Sequence, residues 1–260
     1  MKVTFYKYHG TGNDFVLIDD RKNEFPADNA ELIGKLCERR FGIGADGLML
    51  LRNHPTLDFE MIYFNSDGRY SSMCGNGGRC IVAFAKFLGI IENQTTFMAV
   101  DGEHKAQFSG NWVELQMNAK SAVEERDGDY VLDTGSPHFI HFQNAEISNA
   151  DLNKYVEEIR FGAEFKEEGI NINLVQPVGE VLNMRTYERG VEDETFSCGT
   201  GVTAVAISNA FRKKQDGKID QPIKARGGDL SVSFEKNGNE ISNIWLKGPA
   251  EQVFKGEVEI

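Results

Sequence analysis

Hydrophobic and polar positions along this chain fall into short segments with two different periods. Residues 3–8 (Val-Thr-Phe-Tyr-Lys-Tyr) alternate with the two-residue period of a strand. After a turn at His9–Asp14, Phe15–Ile18 is continuously apolar, as in a buried strand. From Asp28 to Arg40 the apolar positions Ile33, Leu36 and Cys37 share one helical face. Asp28 and Glu31 have capping-box spacing there, and Gly42 is a stop signal. A loop at 42–47 leads to a strand at 48–51, and another strand at 59–64 ends on the turn Asn65-Ser-Asp-Gly68. A buried helix follows Cys74 and runs to about Leu88, and short strands occupy 96–100, 104–108 and 111–117.

The pattern then restarts. Thr134–Phe142 echoes Thr11–Ile18, and Leu152, Tyr155, Val156 and Ile159 mark a helix matching the first. Strands at 171–176 and 181–187 lead to Cys198 and a second buried helix to about Lys213. Closing strands cover 230–235 and 243–247. Asp14 precedes Cys74 by 60 positions, and His138 precedes Cys198 by 60. A repeat of this length is too long for a solenoid and implies two similar domains. We expect an α+β (α/β) protein with two pseudo-symmetric domains, each a curled, mainly antiparallel sheet around a central helix. The first would span 1–119 with the tail 251–260 returning to it, and the second 120–250. The boundary would fall near 118–122, with the functional cleft between the domains.

Composition narrows the function classes. With 260 residues, 40% hydrophobic and 26% charged, the chain has the make-up of an ordinary soluble protein. A formal net charge of -12 argues against a nucleic-acid partner. The apolar runs are too short to span a bilayer, and MKVTFYKYHG lacks the apolar core of a signal peptide. The sequon at Asn93-Gln-Thr95 therefore carries no weight. Four cysteines, at 37, 74, 80 and 198, lack CxxC spacing and read as free thiols in a reducing cytoplasm. Cys37 and Cys80 lie inside helical patterns and read as small buried hydrophobes. The scattered histidines do not form a metal site, so no metal is expected.

The candidate chemistry sits where the repeats match. Cys74-Gly-Asn-Gly-Gly-Arg-Cys80 and Ser197-Cys-Gly-Thr-Gly201 each place a cysteine and a Gly-polar-Gly run before a buried helix. Helix N-termini attract anions through free N–H groups and the dipole, and the same position favours a thiolate. Two such thiols, one on each face of a chiral carbon, could remove a proton and return one with inversion. The two helix N-termini would stabilise the developing negative charge. No phosphate loop with a Schiff-base lysine is recognisable, so no pyridoxal cofactor is expected.

Seven motifs together resemble the diaminopimelate epimerases over essentially the whole chain: His9-Gly-Thr-Gly-Asn-Asp-Phe15, Gly42-Ile-Gly-Ala-Asp46, Phe64-Asn-Ser-Asp-Gly68, Cys74–Cys80, Asn171-Ile-Asn173, Tyr187-Glu-Arg-Gly190 and Ser197–Gly201. The resemblance implies interconversion of LL- and meso-diaminopimelate without cofactor or metal, in lysine and peptidoglycan precursor synthesis. It implies Cys74 and Cys198 as the acid/base pair, with His138 and Glu188 tuning their pKa. Backbone N–H groups of Gly75, Asn76, Gly199 and Thr200 would hold the reacting carboxylate, and Glu188 the reacting ammonium. Asn13, Asn65, Asn173 and Arg189 would hold the rest of the substrate, Arg189 through its guanidinium fork. Phe254 stands where the family often has a dimer-contact aromatic, which implies a homodimer. Two substrate-contact positions depart from the family: Ser136 stands where many members have asparagine, and Gly47 where some have glutamine.

Rival readings remain open at this level. Proline racemases and hydroxyproline epimerases share the fold and the cysteine pair, but typically have histidine where this chain has Asn76. Phenazine-pathway isomerases share the fold but lack the pair. A thiol redox switch between Cys74 and Cys198 belongs to a different class. His138 and the asparagines could serve turns, and Glu188-Arg189 could be a solvated pair.

Overall fold

The computed structural model describes residues 1–71, 73–118, 122–148 and 150–260. Residues 119–121, inside the expected domain boundary, lie outside the described residues. The chain divides into two compact units: Met1–Leu115 with Gly248–Ile260, and Gln116–Lys247.

The first unit contains β1 (Lys2–Gly10), β2 (Asn13–Asp19), α1 (Ala30–Cys37), β3 (Gly47–Arg52), β4 (Phe59–Asn65), α2 (Gly75–Phe87), β5 (Gln94–Ala99), β6 (Gly102–Ser109) and β7 (Trp112–Met117, its last residues in the second unit). Its neighbours pair antiparallel (β1/β2), parallel (β2/β3), antiparallel (β3/β4), parallel (β4/β5), then antiparallel twice. The second unit contains β8 (Glu124–Arg126), β9 (Asp129–Asp133), β10 (Pro137–Phe142), α3 (Leu152–Tyr155), β11 (Asn171–Val178), β12 (Val181–Glu188), β13 (Asp193–Thr195), α4 (Gly199–Arg212), β14 (Gly217–Ala225), β15 (Gly228–Asn237) and β16 (Glu240–Gly248). From β9/β10 to β15/β16 its ladder repeats the same series of directions. The fold is therefore α+β, with a mainly antiparallel sheet packed on one long helix in each unit.

The parallel pairs explain the continuous apolar runs. Phe15–Ile18 and Leu48–Leu51 are all buried, because β2 and β3 are covered on both faces. Val16, Ile18, Leu48 and Leu50 pack with Ile33 and Leu36 of α1. On the other face Met49 lies under Gly77 of α2, where an added Cβ would come within 2.7 Å of its methyl carbon. In the second unit Phe139, Ile172, Leu174 and Tyr187 face α3, whereas Ile140, Val175, Leu182 and Met184 face α4. Alternation then places His138, Asn171, Asn173 and Thr186 on the α4 face. The last strand, β17 (Glu251–Glu259), pairs antiparallel with β1 and so belongs to the first unit.

Several expected elements differ. The first helix is shorter than 28–40: Asn29, not Asp28, caps it, its side chain accepting from Leu32 N at 3.0 Å. It ends at Cys37, since Glu38 is extended and Arg40 has φ 76°. The helix at 152–159 is one α turn followed by a π turn, Val156–Arg160. Strands β8, β9, β13 and β14 were not expected. No helix among the described residues is long and apolar enough to cross a membrane.

Candidate active site

Each long helix begins directly after a cysteine. Cys74 is the N-cap of α2 and Cys198 of α4, both extended (φ -114° and -116°), and neither side chain caps its helix. The first intrahelical bonds are Gly78 N to Cys74 O at 2.7 Å and Val202 N to Cys198 O at 2.9 Å. The N–H groups before these lie outside the helical ladder and carry the positive end of the dipole. Both are thiols rather than disulfide halves; Cys74 is half-buried and Cys198 buried. Cys37 and Cys80 are buried as well, and burial pushes the Cys37 thiol up to about 12 and raises Cys80 further.

Around Cys74 the neighbours are amides and charges. Its Sγ lies 3.6 Å from Asn13 Oδ1, which also accepts from Asn76 Nδ2 at 3.2 Å. Asn13 Nδ2 donates to Asp46 Oδ2 at 2.7 Å, and this fixes the amide with its oxygen toward the thiol. Arg39 bridges Asp46 and Asp14 at 2.7 and 2.6 Å, and Lys7 pairs with Asp14 at 2.7 Å. Burial pushes the Asp14 carboxyl up, but Arg39 and Lys7 outweigh it and hold it below the ordinary carboxylate range. Arg79 is fully buried in the second turn of α2. Its partners are neutral oxygens: Gly75 O (3.2 Å), Thr11 Oγ1 (3.2 Å), Asn76 Oδ1 (3.0 Å) and Pro249 O (3.4 Å). Burial pulls its pKa down while Cys80 and Cys74 pull it up, and an arginine remains protonated throughout. Gly10 makes room for this packing, since a Cβ there would meet Asn76 O at 3.0 Å and the Arg79 guanidinium at 3.2 Å.

Beside Cys198 stands a hydroxyl, with an imidazole behind it. Its Sγ is 3.3 Å from Thr200 Oγ1, which is 2.9 Å from His138 Nε2. Asn173 Nδ2 lies 3.1 Å from His138 Nδ1 and donates to Phe139 O at 3.0 Å. Thr134 Oγ1 donates to Thr200 O at 2.8 Å. His138 is fully buried; burial first, and the Arg189 charge second, lower its pKa to about 3, so the imidazole is neutral. Glu188, at the end of β12, accepts from the Thr195 hydroxyl.

The expected substrate contacts divide. Asn173 has no exposed surface, and its amide is committed to His138, Phe139 and Thr186. Asn171, two residues earlier, was not singled out by sequence. It donates to Ser136 Oγ at 2.8 Å and Pro137 O at 2.9 Å and accepts from Arg189 N at 2.9 Å. It thus joins two of the expected contacts, Ser136 and Arg189. The Arg189 side chain is exposed and donates to Glu168 O at 2.8 Å; it pairs with no carboxylate among the described residues. Asn65 is exposed at the end of β4. Gly47 offers no side chain, and the Tyr63 ring fills the space, 2.5 Å from where a Cβ would stand. Phe254 is 46% exposed on β17, edge-on to Phe5 at 5.9 Å.

Solved structures define the fold class. The chain is similar to a phenazine biosynthesis protein of the PhzF family from Bacillus anthracis (TM-score 0.80, 15% identity, 100% of both chains). It is also similar to a hydroxyproline epimerase from Agrobacterium vitis (TM-score 0.68, 15% identity, 99% of this chain and 92% of that one). The diaminopimelate epimerase family model matches residues 5–128 and again 130–253. A diaminopimelate epimerase from Flavobacterium psychrophilum is 51% identical over 97% of this chain and 99% of its own, and one from Aquifex aeolicus is 37% identical over 98% of each. The chain belongs to the diaminopimelate epimerase family, which are isomerases.

Proposed function

We propose that the protein interconverts LL- and meso-diaminopimelate by two-thiol acid/base catalysis, in lysine and peptidoglycan precursor synthesis. The observation that carries this reading is the cysteine N-cap repeated at the head of α2 and α4, each within one of the two segments that match the family. One thiolate takes the α-proton, and the other thiol delivers a proton to the opposite face; the reading requires both to reach the same carbon. The first-turn N–H groups of Gly75, Asn76, Gly199 and Thr200 receive the carboxylate whose negative charge grows as the proton leaves. Glu188 receives the reacting ammonium.

A second charged end on the substrate accounts for Arg189. An exposed guanidinium that pairs with no carboxylate among the described residues suits a distal carboxylate, and Asn171, bonded to Ser136, accepts from the Arg189 backbone. Asn13 and Asn65 complete the contacts. Proline has no such second end, which favours diaminopimelate over the racemase alternative. We assign the reaction no metal or cofactor, and place the enzyme in the cytoplasm as a homodimer touching through Phe254 on β17.

The test is incubation of the reduced protein with LL-diaminopimelate in heavy water. Deuterium at the α-carbon together with meso product is the expected result; no exchange with diaminopimelate, but exchange with proline, would move the protein to the racemase branch. Arg189→Ala is expected to raise KM roughly 10- to 100-fold, with a smaller effect on kcat.

A further inference from the structure

Three buried side chains on neighbouring strands face the first turn of α4 and end in a chain of hydrogen bonds at Cys198. Thr186 on β12 stands directly opposite Asn173 on β11, and β11 pairs in turn with β10, which carries His138. All three are 3% exposed or less. The Thr186 hydroxyl donates to Asn173 Oδ1 at 3.0 Å. That bond, with the donation of Asn173 Nδ2 to Phe139 O, leaves the amide one orientation. The NH2 group then faces His138 Nδ1. A donor facing Nδ1 requires Nδ1 to accept, so the ring proton is on Nε2. The Nε2–H in turn donates to Thr200 Oγ1. The Thr200 hydroxyl proton is left to point at Cys198 Sγ, 3.3 Å away, whenever that sulfur is a thiolate.

The opposite tautomer would undo this. With the proton on Nδ1, His138 would face the Asn173 NH2 donor to donor. Its bare Nε2 would accept the Thr200 hydroxyl proton and draw it away from the sulfur. Gly201 shows that the chain passes through a fitted gap in α4: a Cβ there would lie 2.8 Å from Asn173 Oδ1, 3.1 Å from His138 Cε1 and 3.4 Å from Cys198 Cβ. Burial first, and the Arg189 charge second, hold the ring neutral.

We propose that Thr186 and Asn173 are positioning residues, which hold His138 in the Nε2–H tautomer so that the Thr200 hydroxyl donates to the Cys198 thiolate. This rests on the acid/base role of Cys198 argued above, and it moves Asn173 from substrate contact to support. At Cys74, Asn13 presents an oxygen rather than a hydroxyl to the sulfur.

The test compares Thr186→Val, which keeps shape and removes the hydroxyl, with Thr186→Ser, which restores it. The tautomer is read from the ring 15N shifts of labelled protein. The ionised fraction of Cys198 is read from the pH dependence of its alkylation, followed by mass spectrometry of its peptide. We expect Thr186→Val to mix the two tautomers, slow Cys198 alkylation near neutral pH about tenfold and leave that of Cys74 unchanged. We expect kcat to fall about tenfold with KM unchanged, and Thr186→Ser to recover each property. A wild-type ring protonated on Nδ1, or a valine variant with unchanged tautomer and alkylation, would overturn the proposal. The shifts and alkylation need no turnover, so an inactive wild-type protein would count against the proposed reaction and leave the relay to be judged by them.

Discussion

The two units present the same ladder and the same helix after the same cysteine, yet they surround that cysteine differently. In the first unit the helix's second turn carries Arg79, which donates to Gly75 O; in the second the equivalent Thr203 donates to Gly199 O at 3.0 Å. The same carbonyl is satisfied by a buried cation in one half and by a hydroxyl in the other. Likewise Asp14, held by Arg39 and Lys7, corresponds in the repeat to His138, held neutral by burial. The topology fixes where a thiol sits, and side chains of similar reach but different charge set how it behaves. A two-base reaction run in both directions needs the shared position, not identical surroundings.

The comparison breaks most completely at the sulfurs. Cys74→Ala and Cys198→Ala are each expected to lower kcat by roughly 10²- to 10⁴-fold or more while circular dichroism and Tm stay near wild type. Normal turnover by either variant would remove the matched roles. Next in size are the helix supports. Arg79→Met leaves Gly75 O, Thr11 and Asn76 without their donor, at an expected cost of about 2–4 kcal/mol in urea unfolding. Thr203→Val is expected to cost only about 1 kcal/mol. Equal losses would mean that the buried charge adds nothing to what the hydroxyl supplies.

A further comparison separates the halves by pH. His138 has a folded pKa of about 3, against about 6.5 unfolded. Below pH 6.5 only the unfolded chain takes up this proton, so stability falls as pH drops from 6.5 toward 3, by at most about 1.4 kcal/mol per unit. Asp14 has a folded pKa below its unfolded value; its contribution is present above about pH 4 and is lost as pH falls through the folded value. The His138→Gln difference from wild type is therefore expected to shrink between pH 6.5 and 4.5, and that of Asp14→Asn to stay constant there. Urea melts at the two pH values check both.

Much of this was legible because glycine, cysteine and strand periodicity recur in order. The N-caps at Cys74 and Cys198 follow from motif and helix pattern alone. Strand β14 was missed for a physical reason. Its alternation runs Ile219, Gln221, Ile223, Ala225, and a buried glutamine beside Pro222 hides the period. Gln221 is tolerated inside because it accepts from Asn209 Nδ2 at 2.7 Å and donates to Glu180 O at 2.9 Å. Asn171 and Asn173 have the same type, strand and face, so pattern could not divide their tasks. The hydroxyls bonded to them, Ser136 and Thr186, do so. Gly47 looked like a lost contact, but the Tyr63 ring occupies that space.

The return of β17 to β1 sets an order of assembly on the ribosome. Residues 116–247 form the second unit without interruption and can fold as soon as they emerge. The first unit cannot finish until Glu251–Glu259 is made, so β1 waits with its outer edge open through the synthesis of its sister unit. An open strand edge invites pairing with another chain. Aggregation of nascent protein is therefore expected to begin at the strand that carries Lys2–Gly10.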